Sequence, residues 1–580
     1  MRLKRYILNL GIPISIILLI SIGIASVQIT HHGLILGDDF SFHFNRFYET
    51  YKQITTHHIN LFQSLFSFSQ SGRIVNAVYG LGFSYFAGGL LALVHNWFRF
   101  QVLLSFLCEF TAGITMFALL KKINIKNWLA VCGAGLYMSS SVVSTWGLNQ
   151  AMTGWGAALL PLLFTEAIAV TQDRKARFSP IVLAVGMSLL IGTHLFSTML
   201  GFLGIIPFFL VALIRTNTKR KLLTKIGISI IITMFLSIAS LLTFIDVNLS
   251  NQLIRPWKNT NMLASAVKFT MGNNSYFELG LVLTVLFLAQ ISYVTLSWSQ
   301  RTIQERIITS VGGIFLLLSS TLVPWNFLAT HSSIIAGIQF PARFQVVACI
   351  LLLAGSALTA QNLTIRNPQF QYFPLISFFI MFMLIFFGTV DKMATSANYW
   401  QSSTPTAAGN NLISPAGISA DRIRAIFSNS NLGIAMNTVI KWTPDYLPLK
   451  VQQSHNQINT YDLYGRQILN NPIKVTHQVT RDNKLMLSWV SDSSTTVTLP
   501  VVVYSHSIVQ VNNKALRPSQ ISVSDIGALM VHQLHGKNQV VIGYKENNLF
   551  TKAFLIQLIS WVFLIIFVGI KKINSKHRLQ

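Results

Sequence analysis

Acidic side chains are scarce in this chain: 17 Asp and Glu stand among 580 residues, against 43 Lys and Arg. Cysteine is scarcer still. Cys108, Cys132 and Cys349 all lie inside apolar segments, so no disulfide framework is expected in the polar regions. Charged residues of all kinds make up only 10% of the chain. There is no Walker A loop, no Rossmann glycine fingerprint, no HExxH and no CxxC pair, and the Ser and His residues show no triad arrangement. These absences exclude evident ATP-driven and zinc-hydrolase machinery. An enzyme of this composition needs a donor that arrives already activated, and a lipid-linked donor is the simplest choice.

Apolar residues are what the chain has in quantity, at 52%, with a mean hydropathy of +0.53. Several uninterrupted apolar runs reach the ~20 residues that cross a bilayer. The net charge of +26 is not a nucleic-acid footprint, because its Lys and Arg collect at the ends of those runs. The clusters are Arg2/Lys4/Arg5, Lys121/Lys122/Lys126, Arg174/Lys175/Arg177, Arg215/Lys219/Arg220/Lys221, Arg301/Arg306, Arg366 and Lys571/Lys572/Lys576/Arg578. Placing all of them in the cytoplasm satisfies the positive-inside rule. About twelve spans follow, near 7–29, 101–120, 127–146, 152–171, 179–195, 197–214, 225–245, 277–297, 307–325, 344–361, 373–390 and 551–570, with both termini cytoplasmic. The first reads as an uncleaved span, since no small-residue cleavage site follows it. The glycine-rich run 78–98 is expected to dip into or lie along the outer leaflet, because a full crossing would invert every later loop.

Three regions then face outwards: 30–100, the loops 248–275 and 324–343, and a polar stretch between the last two spans. The chain divides into a transmembrane domain over 1–390, an extracytoplasmic domain over 391–548 and a final span with a basic tail over 549–580. The second half of the soluble domain alternates like strands at Leu485–Val490, Thr495–Tyr504 and Gln539–Tyr544. Turn residues at Asn512-Asn513-Lys514 and His535-Gly536-Lys537-Asn538 separate them, so a β-sandwich-like fold is expected.

In a chain so poor in carboxylates, adjacent Asp38 and Asp39 beyond the first span are prominent. Read as a helix, Asp39, His43 and Arg46 share one face and Phe40, Phe44 and Phe47 another, the pattern of a short helix lying in the membrane interface. The pair is either a reactive site or a helix start with Asp38 as its N-cap. Arg343, in Ile338-Gln339-Phe340-Pro341-Ala342-Arg343, sits where a lipid phosphate would lie, as a phosphate ligand or as a snorkelling anchor. Arg255 and Lys258 occupy an outer loop bracketed by Asp246 and Glu278. Glu109 and Glu166 within spans read as hydrogen-bond partners between helices, and His194 reads as structural.

One span, a long outer loop with an acidic pair, many further spans and an extracytoplasmic domain resemble the GT-C glycosyltransferases. More closely, the chain is similar to the bacterial YfhO family of multi-pass membrane proteins. The resembling stretches are Gly37-Asp38-Asp39, Tyr79-Gly80-Leu81-Gly82-Phe83-Ser84-Tyr85, the run ending in Arg343, Asp445-Tyr446-Leu447-Pro448, Leu499-Pro500-Val501-Val502-Val503-Tyr504 with Val511-Asn512-Asn513-Lys514, and Gly536 leading into Val540–Tyr544. The chain departs from the family at Ala342, where an aromatic residue is expected. The resemblance implies a GT-C-like polytopic α-helical fold and an inverting transfer at the outer membrane face, from a polyprenyl-phosphate sugar to a cell-envelope polymer such as a teichoic acid. It also implies that an aspartate of this loop acts as the base, Asp39 with Asp38 capping or assisting and His43 and Arg46 in support, or that Asp38 and Asp39 help hold a divalent cation (Mg2+ or Mn2+). Arg343, with Arg255 or Lys258, would clamp the donor phosphate. Two other readings stay open: a lipid-linked glycan flippase, which needs ionisable residues near the bilayer midplane and usually repeated halves, and a non-catalytic assembly factor whose β-domain binds a partner. No internal repeat is apparent.

Overall fold

A computed structural model describes residues 10–577, apart from 173, 176, 272–275, 367, 407–411, 414, 416, 451–458 and 546–547. The basic residues Arg2, Lys4, Arg5 and Arg578 lie outside the described residues. Fifteen helices carry the architecture: α1 (Ile12–Thr30), α2 (Phe40–Thr56), α3 (Leu81–Val94), α4 (Trp97–Lys122), α5 (Asn127–Met138), α6 (Ser141–Asn149), α7 (Thr153–Ala169), α8 (Pro180–Thr193), α9 (Leu195–Arg215), α10 (Lys219–Ser250), α11 (Leu281–Leu296), α12 (Ile303–Ser319), α13 (Gln345–Arg366), α14 (Phe373–Asn398) and α15 (Asn548–His577). Short helical turns lie between some of them.

Seven helical segments are long and apolar enough to cross a bilayer, and they fall on α1, α4, α9, α10, α13, α14 and α15. The other five expected crossings fall on shorter pieces. α7, α8, α11 and α12 have 14 to 17 residues, and 127–146 is broken into α5 and α6 at Ser139-Ser140. Exposed Ile228, Ile230, Ile231, Met234 and Phe235 on α10 give that helix an apolar outer face suited to lipid. The final helix docks on α10 by polar contacts: Trp561 Nε1 donates to the Leu236 carbonyl at 3.0 Å, and Gln557 Oε1 accepts from Ala239 N at 3.0 Å. This is a multi-pass membrane protein.

The segment 30–100 is a folded body. The pattern of α2 is that of a helix lying in the membrane interface, its ionisable face turned towards protein or water. Instead Phe40 through Tyr51 are all buried, because α3 and α4 cover one side and the segment 433–443 the other. The rings of Phe44, Trp97, Phe100 and Phe47 stack against one another. Each buried phenylalanine contributes about 2 kcal/mol of removed apolar surface. Run 78–98 becomes α3, whose 14 residues reach roughly 21 Å, short of the ~30 Å hydrocarbon layer. It packs against α2 so closely that a Cβ on Gly88 would meet Thr50 Oγ1 at 2.3 Å.

The strands begin at Thr476, after a stretch of short helices and extended chain. β1 (Thr476–Val479), β2 (Leu485–Ser491), β8 (Gly536–Tyr544), β4 (Ser507–Val511) and β5 (Lys514–Ala515) form one antiparallel sheet in that order. β3 (Thr496–Val502), β7 (Ala528–His532) and β6 (Ser522–Val523) form another. Alternate side chains of both sheets (Leu485, Leu487, Val509, Val540 and Ile542 against Leu499, Val501 and Leu529) make one sandwich core. Asn512 and Asn513, at φ 47° and 65°, supply the left-handed residues of the β4–β5 turn. The sandwich is not a detached appendage. Leu65 of the first loop enters its core, Val502 N donates to the Ser71 carbonyl at 2.8 Å, and Ile74 N donates to Tyr504 Oη at 3.0 Å.

Candidate functional site

Between the membrane helices and the body built by segment 30–100 with the sandwich lies a cavity of 1340 Å³, whose wall includes Asp39, His43, Tyr79, His194, Arg255, Lys258, Arg343, Lys441, Asp445 and Tyr446. That volume exceeds the ~300–1,000 Å³ of a typical single-ligand pocket. Asp39 reaches it by tight packing of the preceding loop. Gly37 lies against α6 where a Cβ would come within 2.4 Å of Asn149 Cα. Gly37 N donates to Gln150 Oε1 at 2.7 Å, and Asp39 N to the Asn149 carbonyl at 3.1 Å. Asp39, and not Asp38, stands at the N-cap position of α2, and its side chain makes no capping bond. Its Oδ1 instead accepts from Lys441 Nζ at 2.6 Å, with 40% of the side chain exposed. Asp38 is half-buried and is not part of the cavity wall.

His43 and Arg46 part company. His43 lines the cavity, and burial, with Arg46, Lys441 and His194 around it, holds its pKa well below the ordinary histidine range. The ring is therefore neutral at pH 7, so its Nδ1 accepts from Arg46 Nη1 at 3.0 Å. Arg46 itself is wholly buried and away from the cavity wall. It donates to Asn76 Oδ1 at 3.1 Å, to the Tyr79 carbonyl and to Ser84 Oγ at 2.7 Å, and its guanidinium lies 4.5 Å from the Tyr79 ring centre. It stitches the loop under the site. Helical periodicity placed it on the right face, while the covering loop 76–84 decided its surroundings.

The cations come from two chain segments tied together. Arg343 donates to the Ile338 carbonyl at 3.0 Å and to Gln339 Oε1 at 3.2 Å, with Phe196 and Phe340 rings 4.8 and 4.9 Å from its guanidinium carbon. Gln339 Nε2 donates to the Trp257 carbonyl at 2.5 Å, and Asn259 Nδ2 to the Gln339 carbonyl at 2.7 Å. The exposed Arg255 and Lys258 are thereby carried beside Arg343 on one cavity. Apolar Leu195, Phe196 and Met199 of α9 and Phe244 of α10 complete this side.

Lys441 and Asp445 were not singled out from the sequence as site residues. Asp445 did fall within a stretch resembling the YfhO family, four residues from Lys441, and that was the available signal. Burial pushes the Asp445 carboxyl up to about 6, against the pull of Arg73 and Lys441 and with a further push from Asp39. Of the carboxylates read from within spans, Glu166 pairs with Lys122 at 3.1 Å and accepts from Ser179 N at 2.6 Å, so it ties helix ends together. Glu109 is buried in α4 and away from the cavity wall, and its Oε2 has no hydrogen-bond partner among the described residues.

The divalent cation implied at Asp38 and Asp39 meets a donor set that does not suit it. Among the described residues no three His, Cys, Asp or Glu side chains gather as a metal site. The Lys441 ammonium already neutralises Asp39, and Asp38 does not share the cavity wall.

No protein-family model and no curated protein matches the chain. Among solved structures, it is similar to the arabinofuranosyltransferase AftD from Mycobacteria, at 13% identity and a TM-score of 0.43 over 67% of this chain and 28% of that one. It is also similar to the Archaeoglobus fulgidus oligosaccharyltransferase in its apo form, at 12% identity and a TM-score of 0.39 over 72% of this chain and 59% of that one. The chain thus spans less than two thirds of the length of either protein.

Proposed function

We propose that the chain is a membrane glycosyltransferase of GT-C type, akin to the YfhO family, acting at the outer membrane face. It moves a sugar from a polyprenyl-phosphate donor to a hydroxyl of a cell-envelope polymer, for which a teichoic acid is the family's precedent. The observation that carries this reading is the composition of the one cavity. It joins two aspartates, four cations and apolar side chains of membrane helices in a space large enough for two substrates.

The apolar side chains Phe196, Met199 and Phe244 suit the isoprenoid end of the donor, and the arginine beside them suits its phosphate. Guanidinium–phosphate hydrogen bonds are charge-assisted and planar, so Arg343 binds the phosphate and stabilises it as negative charge develops on the leaving oxygen. Arg255 and Lys258, more exposed, add longer-range attraction. The acceptor hydroxyl oxygen attacks the anomeric carbon from the face opposite the phosphate. The new C–O bond forms as the sugar–phosphate C–O bond breaks, the hydroxyl proton passes to Asp39, and polyprenyl phosphate leaves. Lys441 fixes where the Asp39 carboxylate points. His43, neutral, adds no charge to compete for the phosphate. No step is routed through a metal.

The flippase reading finds little to stand on: Glu166 serves a helix end, and the cavity's ionisable groups gather beside the outer body. The test is transfer in membranes from radiolabelled undecaprenyl-phosphate sugars to cell-envelope acceptor, comparing wild type with Asp39→Asn. Label reaching polymer only with wild type supports the proposal. No transfer from any donor by correctly folded protein overturns it.

A further inference from the structure

The cavity's remaining wall belongs to no membrane helix. Trp442, Thr443, Asp445, Tyr446 and Tyr461 all come from the outer stretch between α14 and the sandwich. Residues 445–449 are held firmly. Tyr446 N donates to the Ile254 carbonyl at 2.8 Å, Ile254 N to the Leu447 carbonyl at 2.7 Å, and Leu449 N to the Gln252 carbonyl at 2.7 Å. Arg73, itself fully buried, donates through Nη2 to the Asp445 carbonyl at 2.6 Å and through Nη1 to Tyr464 Oη at 3.1 Å. Tyr446 adopts φ 67°, a left-handed conformation that a bulky residue takes only when its surroundings impose it. Here the bond to Ile254 and another from Tyr504 Oη to the Tyr446 carbonyl, at 3.1 Å, impose it. The six-membered ring of the Trp442 indole lies against Gly465, where a Cβ would come within 2.6 Å of it, and the half-buried side chain also lines the cavity.

Aromatic rings backed by rigid chain around a carboxylate make a recognition surface for hydroxyls. The rings offer apolar faces to C–H groups, and the carboxylate accepts two O–H bonds at once. We propose that Trp442, Asp445, Tyr446 and Tyr461 form the acceptor subsite, and that it takes a hydroxyl-rich sugar or polyol unit presented from the water side. This rests on the transferase reading for its name, though not for its binding chemistry. A unit bound there lies in the same cavity as Asp39, which Lys441 holds from the same segment. Sites built to hydrogen-bond a hydroxyl reject analogues that lack it, because the buried polar group is left unpaired.

The test uses full-length protein in nanodiscs and saturation-transfer NMR with named probes: maltotriose, cellotriose, N-acetylglucosamine, ribitol and glycerol. Wild type and Arg343→Ala should bind at least one of them. Asp445→Asn, close in shape, and Trp442→Ala should each weaken that binding by about tenfold or more, the size of a lost hydrogen bond to a charged group. Thermal melts check that both variants fold. Undiminished binding in both folded variants, or no binding of any probe to wild type, overturns the subsite. Release of polyprenyl phosphate from labelled donor, measured separately, reports on the transferase reading, so the two failures are distinguishable.

Discussion

The two sides of the cavity are built on different principles. On the membrane side, Arg343, Arg255 and Lys258 stand beside phenylalanines from α9 and the stretch before α13. On the other, Lys441 pairs with Asp39, and Asp445 stands on the same wall among tryptophan and tyrosine rings. The first suits a charged head on a greasy tail, and the second a neutral molecule covered in hydroxyls. One cavity therefore presents two solvents' worth of chemistry.

Variants on the two sides should fail in different ways. The largest effect is expected from Asp39→Asn, a loss of about 10²–10⁴-fold in turnover, the usual worth of a positioned general base. Single-turnover rates with both substrates saturating would check it, and unchanged turnover would remove Asp39 from the chemistry. Next, Arg343→Ala should raise the donor KM by about 100-fold, in keeping with ~1.5–3 kcal/mol for a charged hydrogen bond, and leave the acceptor KM unmoved. Arg343→Lys should restore only part, since an ammonium lacks the planar fork. Equal effects on both substrates would point to a structural role.

A pH series would sharpen the contrast further. Burial raises the Asp445 carboxyl to about 6; Arg73 and Lys441 lower it, Asp39 raises it, and the phenols of Tyr79, Tyr446 and Tyr461 surround it. It is ionised at pH 7.5 and becomes protonated as pH falls through 6. The acceptor KM should thus be flat above pH 7 and rise below 6, by up to about tenfold per pH unit. In Asp445→Asn that inflection should vanish. The smallest effects belong to Arg255→Ala and Lys258→Ala. At these exposed positions, a few-fold weaker donor use at low salt should fade near 0.15 M, where screening acts over ~8 Å.

How much of this could be read from the chain differs by region. The spans were legible because 20 apolar residues in a row have few other fates, and the strand at 485–491 because its side chains alternate. Asp39 and Arg343 stood out because charge is rare at the edge of an apolar run. Arg46 was legible as a helical neighbour of His43, while its burial under the loop 76–84 was not, because periodicity says which residues share a face and not what covers it. Lys441 and Asp445 sit in an unremarkable polar stretch. Only the fold brings Lys441 to Asp39, 402 positions earlier, and no local pattern encodes that meeting.

The bond from Ile74 to Tyr504 joins residues 430 positions apart, and it bears on how the protein is made. At a synthesis rate of roughly 5–20 residues per second, the first outer loop waits about 20–90 s for the strands that complete its packing. Throughout that interval Leu65 and its apolar neighbours are exposed outside the membrane with their final partners still inside the ribosome. Biogenesis of this chain therefore has a vulnerable window set by topology. A helper that shields this loop, or a pause in synthesis, would act there.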